Sequence, residues 1–246
     1  MKKRLMAAVL STAMAATMLL TGSISVQAAD AAAANDPAVE LIFTSVSVSG
    51  DSHTEAMYEF ADKVEELSGG SVTCKCYDNG SLFSSENEFD ALLNGDADLA
   101  YISFPTIATQ IPSYSMFASG YLFSSYEHMT SVLNGDIGLN KIRPQIEETL
   151  NIKPLSSFYL GSRVINTREK EINSYDDMNG LLLRMPNSEA WLFLGEALGA
   201  NPTPLSFSEL YTALQTGAVD AQDNPLPSIE SAKFYEVTKY IAITNH

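Results

Sequence analysis

Residues 38–103 decide the fold. They read AVELIFTSVSV over 38–48, SHTEAMYEFADKVEEL over 52–67, VTCKCY over 72–77, SENEFDALL over 85–93 and DLAYIS over 98–103. The first, third and fifth pieces read as strands, the first being rich in Val, Ile and Phe. The second opens on the capping box Ser52-x-x-Glu55 and sets Ala56, Phe60, Ala61, Val64 and Leu67 on one helical face. Gly69-Gly70 stops it. The fourth is a helix opened by Ser85-x-x-Glu88, running through Leu93 and ended by Gly95. Asp78-Asn79-Gly80 is a turn. Strands alternating with helices over short connections predict a parallel sheet flanked by helices. In such sheets ligands bind beyond the carboxyl ends of the strands. The loops after Val48, Tyr77 and Ser103 should therefore face a cleft.

Working downstream, Tyr126–Leu133 and Pro144–Leu150 read as helices and Ile152–Phe158 as a strand. From Gly161 the same grammar restarts. Arg163–Asn166 and Leu181–Met185 are strands and Glu189–Leu198 a helix. Ser206-x-x-Glu209 caps a helix through Leu214, ended by Gly217. A short segment, Ala218–Gln222, precedes a helical stretch near Ser228–Tyr235 and a strand, Tyr240–Thr244. The reading is α/β, with one lobe over 38–160 and a second over 161–246.

Upstream, 29–37 is a small-residue tether and Met1–Ala28 a secretory signal peptide. Lys2, Lys3 and Arg4 form its positive end, Leu5 to Leu20 its apolar run, and Val26-Gln27-Ala28 the small residues before a cut. An uncut Leu5–Ala29 would be long enough to span a membrane, but Thr21, Gly22, Ser23 and Ser25 break it up. The expected localisation is extracytoplasmic.

The chain of 246 residues carries 14 Lys+Arg against 30 Asp+Glu, a formal net charge of −16. Removing the leader takes away three basic residues and no acidic one, so the mature chain is more acidic still. No cluster of Lys and Arg follows residue 4, which argues against nucleic acid and against an anionic membrane surface. Cys74 and Cys76 are the only thiols; two apart on a strand, they share one face and read as small buried apolar side chains. Without a nearby His they close no zinc site, and no cofactor is called for. An exported hydrolase is the enzyme alternative. No G-x-S-x-G or H-E-x-x-H occurs, and His53, His128 and His246 are isolated in sequence.

The second half carries a resemblance. Its segments are Gly161-Ser-Arg163, Asp177-Met-Asn-Gly180, Leu183-Arg184-Met-Pro186-Asn187, Leu198-Gly-Ala-Asn-Pro-Thr-Pro204, Phe207-Ser-Glu-Leu-Tyr-Thr-Ala-Leu-Gln215, Val219-Asp-Ala-Gln-Asp-Asn-Pro225, Lys233-Phe-Tyr-Glu-Val237 and Thr244-Asn-His246. In order and spacing they resemble the DctP-type extracytoplasmic solute-binding proteins of TRAP transporters. The first half is similar more loosely, through Gly69-Gly70 and Asn94-Gly-Asp-Ala-Asp98. The resemblance implies a two-lobed periplasmic-binding-protein-like fold closing over an organic acid, and TRAP membrane subunits as partners that move the solute. Members usually continue beyond the last of these motifs, so an end at His246 reads as a truncated product or a partial gene, with the return to the first lobe absent.

Arg184 is the sharpest candidate. A guanidinium at the end of the apolar run Leu181-Leu-Leu183 is costly unless paired or reaching water, so a structurally paired or snorkelling Arg is the plain reading. By resemblance it is the arginine that forms the salt bridge to the substrate carboxylate, which suits its planar fork. Arg163 matches a second family arginine; otherwise it is a surface charge opposite Glu169 or Glu171. Asn224 matches a ligand-bonding Asn, though an Asn before Pro is also a routine turn residue. Asn187 could point inward, and Phe207 lines either the cleft or the core. Relative to the family's sialic acid binders, charged cleft residues of the first lobe are replaced by Ser84, Ser103 and Thr106. A smaller hydroxy acid, sugar acid or dicarboxylate suits such hydroxyl donors better. A binding module for another importer or a sensor kinase is the alternative.

Overall fold

The computed structural model describes residues 38–246. The expected signal peptide, Met1–Ala28, and the tether, 29–37, lie outside them. Among the described residues no helix is long and apolar enough to cross a membrane.

The first sheet is built from β1 (Val39–Thr44), β2 (Val72–Tyr77) and β3 (Leu99–Ala100), in the order β2-β1-β3 and wholly parallel. Its helices are α1 (Ser52–Leu67), α2 (Glu88–Asn94), the single turn α3 (Phe104–Ile107), α4 (Tyr126–Leu133) and α5 (Arg143–Leu150). Phe89, Ile107, Ile111, Tyr114 and Ile146 form the core of this part. The second sheet has β4 (Arg163–Thr167), β5 (Leu182–Met185), β6 (Asn201–Pro204), β7 (Ala221–Pro225) and β8 (Tyr240–Ala242), in the order β6-β5-β7-β4-β8. Its helices are α6 (Glu189–Ala197), α7 (Leu210–Thr216) and α8 (Leu226–Ser231). Here β5 runs parallel to both β6 and β7, while β4 is antiparallel to β7 and β8. The fold is α/β, two-lobed and mostly parallel, with β4 as the one reversed strand of the second sheet.

Alternation along β4 shows how the second sheet is covered. Val164 packs with Leu210, Leu214, Val219, Ile229 and Phe234, whereas Ile165 packs with Leu183, Met185, Trp191 and Leu194. Neighbouring strand residues point to opposite faces, so both faces of this sheet are buried under helices.

Several expectations need correction. The cap of α1 is Asp51, whose Oδ1 accepts from His53 N at 2.8 Å, and Ser52 is already helical. The buried stripe of α1 is Thr54, Met57 and Ala61, with Leu67 80% exposed. Asn87 and Ser206 stand at the next two expected starts without a side-chain cap bond. The third strand shrinks to two residues, and the segment expected at 218–222 is strand β7, shifted toward the carboxyl end. Cys74 and Cys76 are free and half-buried, not buried. Burial raises the Cys76 thiol to about 11, with Cys74, Asp62 and Asp78 adding, so it stays protonated and inert.

Residues 152–158 form no strand. Asn134 and Arg143 replace the missing ladder: Asn134 Oδ1 accepts from Ser157 N at 3.0 Å, Asn134 Nδ2 donates to Ser157 O at 2.9 Å and Arg143 Nη1 donates to Leu155 O at 3.1 Å. Phe158 packs edge-on against His53 and Tyr101.

Candidate functional site

The carboxyl ends of β5 and β7 lie beside the amino end of β4, and this edge gathers the polar residues. Strand β7, Ala221-Gln-Asp-Asn-Pro225, is buried throughout. A polar run in a central strand is tolerable only if every group is bonded. Asn224 Nδ2 donates to Gln222 Oε1 at 2.6 Å, and Gln222 Nε2 to Asn166 Oδ1 at 3.1 Å. Asn166 Nδ2 then donates to Thr238 Oγ1 and Tyr240 O, both at 2.9 Å. This relay fixes the Asn224 amide along one face of the sheet, from β7 across β4 toward β8.

Register divides the charged residues between the two faces. Arg184 pairs with Gln222 and Val164 with Asn224, which places Arg184 and Asn224 on the face of Val164. Asp223 pairs with Ile165 and shares the opposite face with Arg163. The Arg163 fork donates from Nε to Asp223 Oδ1, and from Nη2 to Asp223 O and, at 3.3 Å, to Asn224 Oδ1. Its guanidinium lies 4.7 Å from the centre of the Trp191 ring. His246 Nε2 sits 3.1 Å from Asp223 Oδ2, with Nδ1 2.8 Å from Thr244 Oγ1. Burial alone would push the Asp223 carboxyl up; the Arg163 charge and the His246 contact reverse this and hold it below the usual carboxylate range. Arg163 is thus neutralised by Asp223, while Glu169 pairs with Lys239.

Arg184 is different. It is 2% exposed, and its Nε donates to Leu205 O at 2.8 Å. Its guanidinium lies 5.9 Å from the Phe207 ring centre. Among the described residues, neither terminal nitrogen has a protein acceptor and no carboxylate lies in salt-bridge range. Burial lowers its pKa to about 10, helped by the charge of Arg163 and opposed by Asp223 and Glu86. It therefore remains protonated at neutral pH, a buried cation with its fork free.

The facing side comes from the first half of the chain. Ser85 Oγ lies 3.4 Å from Ser206 Oγ and accepts from Phe207 N at 3.4 Å. Ser103 Oγ and Thr106 Oγ1 are 2.8 Å apart at the start of α3, which packs on α6. Phe207 also lines a cleft of about 400 Å³ with Val48, Ser49, Asn79, Tyr211 and Lys233, at the carboxyl ends of β1 and β2. The loops after Val48 and Tyr77 do face a cleft. The arginines do not line that volume.

Four of the five candidate residues come together: Arg184 against Phe207, and Arg163 against Asn224. Asn187 stands apart, exposed on the turn between β5 and α6 without a hydrogen bond to a described residue. Asp223, Trp191 and His246 were missed. The signal available was Asp223 itself, a carboxylate inside a buried strand that requires a cation. His246, isolated in sequence, is fully buried in that pairing. Among the described residues no cluster of His, Cys, Asp and Glu is arranged to hold a metal.

Residues 43–246 match the model of the DctP family, described as bacterial extracellular solute-binding protein, family 7. The chain belongs to this family. Among curated relatives, the sialic acid-binding periplasmic protein SiaP of Vibrio cholerae is 36% identical over 186 residues, 76% of this chain and 57% of SiaP. A TRAP periplasmic solute-binding protein of Roseobacter denitrificans, solved with bound 3-deoxy-D-manno-oct-2-ulosonic acid, is 41% identical with a TM-score of 0.79, covering 85% of this chain and 68% of that one. The sugar acid binding protein DctPAm of Advenella mimigardefordensis, solved with galactonate, is 32% identical with a TM-score of 0.81, covering 85% and 67%. The chain spans somewhat over half the length of the curated relatives it matches. These DctP relatives are binding proteins, not enzymes.

Proposed function

We propose that this DctP-family protein is the extracytoplasmic solute-binding component of a TRAP-type secondary transporter. It captures a small organic acid (a sugar acid, hydroxy acid or dicarboxylate) through a salt bridge from Arg184 and delivers it to the membrane subunits. One observation carries the reading: Arg184 is buried and charged, with both terminal nitrogens free of protein acceptors. A buried cation without a counter-ion is costly, and a carboxylate accepting two parallel N–H bonds would relieve that cost. Asn224, held by Gln222 and Arg163, would add a neutral hydrogen bond, and Phe207 an apolar wall. Relatives solved with 3-deoxy-D-manno-oct-2-ulosonic acid, galactonate and succinate supply the ligand chemistry. Neither Arg163 nor Asn187 is needed for the first contact.

The test is calorimetry and thermal shift of the protein expressed from its complete reading frame, against organic acids and their uncharged amides. An acid at about 100 times its Kd should stabilise the fold by ~2.7 kcal/mol. The amides should not. Equal binding of acid and amide would defeat the salt-bridge reading.

A further inference from the structure

The charges around Arg184 constrain the ligand further. Glu86 lies on the segment of the first half that touches the Leu205–Phe207 stretch. Its Oε2 accepts from Ser84 Oγ at 2.8 Å and its Oε1 from Ser85 Oγ at 2.9 Å. The same Ser85 hydroxyl contacts Ser206 Oγ and Phe207 N, each at 3.4 Å. Leu205 O, one residue before Ser206, holds Arg184 Nε at 2.8 Å. A single short stretch thus touches the buried guanidinium on one side and, on the other, Ser85, whose hydroxyl donates to the Glu86 carboxylate. Among the described residues no cation lies in salt-bridge range of Glu86. Partial burial would raise its pKa, but the hydroxyls of Ser84, Ser85 and Ser206 outweigh that and keep it ionised. Its charge reaches Arg184 without forming an ion pair with it.

Arg163 is matched by Asp223, so among the described residues Arg184 is the buried guanidinium without a carboxylate partner, and the Glu86 carboxylate is held near it by the Ser85 contact with Ser206 and Phe207. We infer that Glu86 is a specificity residue: it accepts hydrogen bonds from hydroxyl groups at the ligand end remote from Arg184, selecting a polyhydroxylated monocarboxylate over a dicarboxylate. A carboxylate has only acceptor capacity when ionised, so it welcomes an alditol-like tail of O–H donors. A second ligand carboxylate would meet it as a like charge and raise the cost of closing the cleft. Ser84 and Ser85 set the direction of the Glu86 oxygens. This inference rests on the Arg184 salt-bridge reading.

The experiment measures binding of galactonate, glucuronate and succinate to the wild-type protein, Glu86→Gln and Ser85→Ala. Wild type should prefer the two sugar acids. Glu86→Gln should weaken them about 10- to 100-fold, the worth of hydrogen bonds to a charged group. Succinate affinity should stay level or improve, so that the preference narrows or reverses. Ser85→Ala should move the same ratio in the same direction by less. Glu86 is exposed, so the ligand-free melt should not shift, which separates specificity from folding. A wild-type preference for succinate, or an equal change for all three acids in Glu86→Gln, would overturn the inference while leaving the Arg184 reading intact. Failure of wild type to bind any acid would overturn both.

Discussion

On the side of the cleft formed by β5 and β7, the polar groups sit inside the sheet and are held by one another; on the side formed by the turns before α2 and α3, they are short hydroxyls held by near neighbours. Arg184, Gln222, Asp223 and Asn224 are all buried, at 6% exposure or less, and the last three are bonded. Ser84, Ser85, Ser103 and Thr106 are exposed or half-buried, and their side-chain bonds mostly reach one to three residues along the chain. The first arrangement places a charge in a fixed position at a cost to foldability. The second can change its residues with little penalty. On the proposed reading, ligand capture and ligand choice fall to regions with different tolerance for mutation.

The largest expected effect breaks the rigid side. Asp223→Asn leaves Arg163 and His246 without their shared carboxylate, and loss of one partner of a buried pair costs ~3–5 kcal/mol. Chemical denaturation should show the loss directly. A change below ~1 kcal/mol would mean that Arg163 swings out to water at no cost. The depressed pKa also gives a sign. Stability supplied by Asp223 is present above the ordinary carboxylate range and falls away as pH drops through its lower folded value.

Next comes the buried cation itself. Arg184→Ala should reduce affinity for an organic acid roughly 30- to 4,000-fold, from ~2–5 kcal/mol for unpairing a desolvated carboxylate. Arg184→Lys keeps charge but not the fork and should recover part of it. The ligand-free melt should survive, since the side chain makes one hydrogen bond to the fold. Calorimetry and a melt on the same variant decide between ligand and structural roles; a collapsed melt would favour the second.

The first half contains its own contrast. Glu88 Oε1 and Thr44 Oγ1 are buried without a hydrogen-bond partner. Burial raises the Glu88 carboxyl from 4.5 to about 8, with Thr44 lowering it slightly. Between those values the folded protein keeps a proton that the unfolded chain has released. Stability therefore falls as pH rises from about 4.5 to 8 and levels off above, a loss on the order of 5 kcal/mol. Glu88→Gln should flatten that slope in melts taken across the range. An unchanged slope would assign it to other groups.

The smallest effects should be at the hydroxyls. Ser103→Ala or Thr106→Ala breaks a single neutral bond and should shift ligand affinity by up to about tenfold. Stability should stay within ~0.5 kcal/mol. A large fall in the melt would erase the contrast between the two sides.

Sequence pattern carried the parallel βαβ order of the first part, because period-2 and period-3.6 runs there are bounded by Gly pairs and turn residues. For Arg184, a charge ending the run Leu181–Leu183 stood out, but the pattern alone read as a paired or snorkelling side chain; the ligand role came from the family resemblance. Pattern failed where side chains 12 and 23 residues away take over backbone bonding. Ile152–Phe158 has strand composition, yet Asn134 and Arg143 satisfy its Leu155 and Ser157 groups, so no neighbouring strand is required. Strand β7 was displaced because its polar Gln222-Asp-Asn run hides a buried strand. The partners that make this run tolerable, Asn166, Arg163 and His246, lie 23 to 61 residues away and follow no local spacing.

The depth of Arg184 has a consequence for the speed of capture. At 2% exposure its charge is felt mainly inside the cleft, whereas the chain as a whole carries −16. On the proposed function, an approaching organic anion would therefore meet a repulsive field until it is nearly home. Added salt, which usually slows attraction between unlike charges, should here speed the encounter by shortening that field. Stopped-flow association rates should rise with ionic strength while dissociation, governed within the closed cleft, changes little. The protein would then work faster in brine than in dilute buffer.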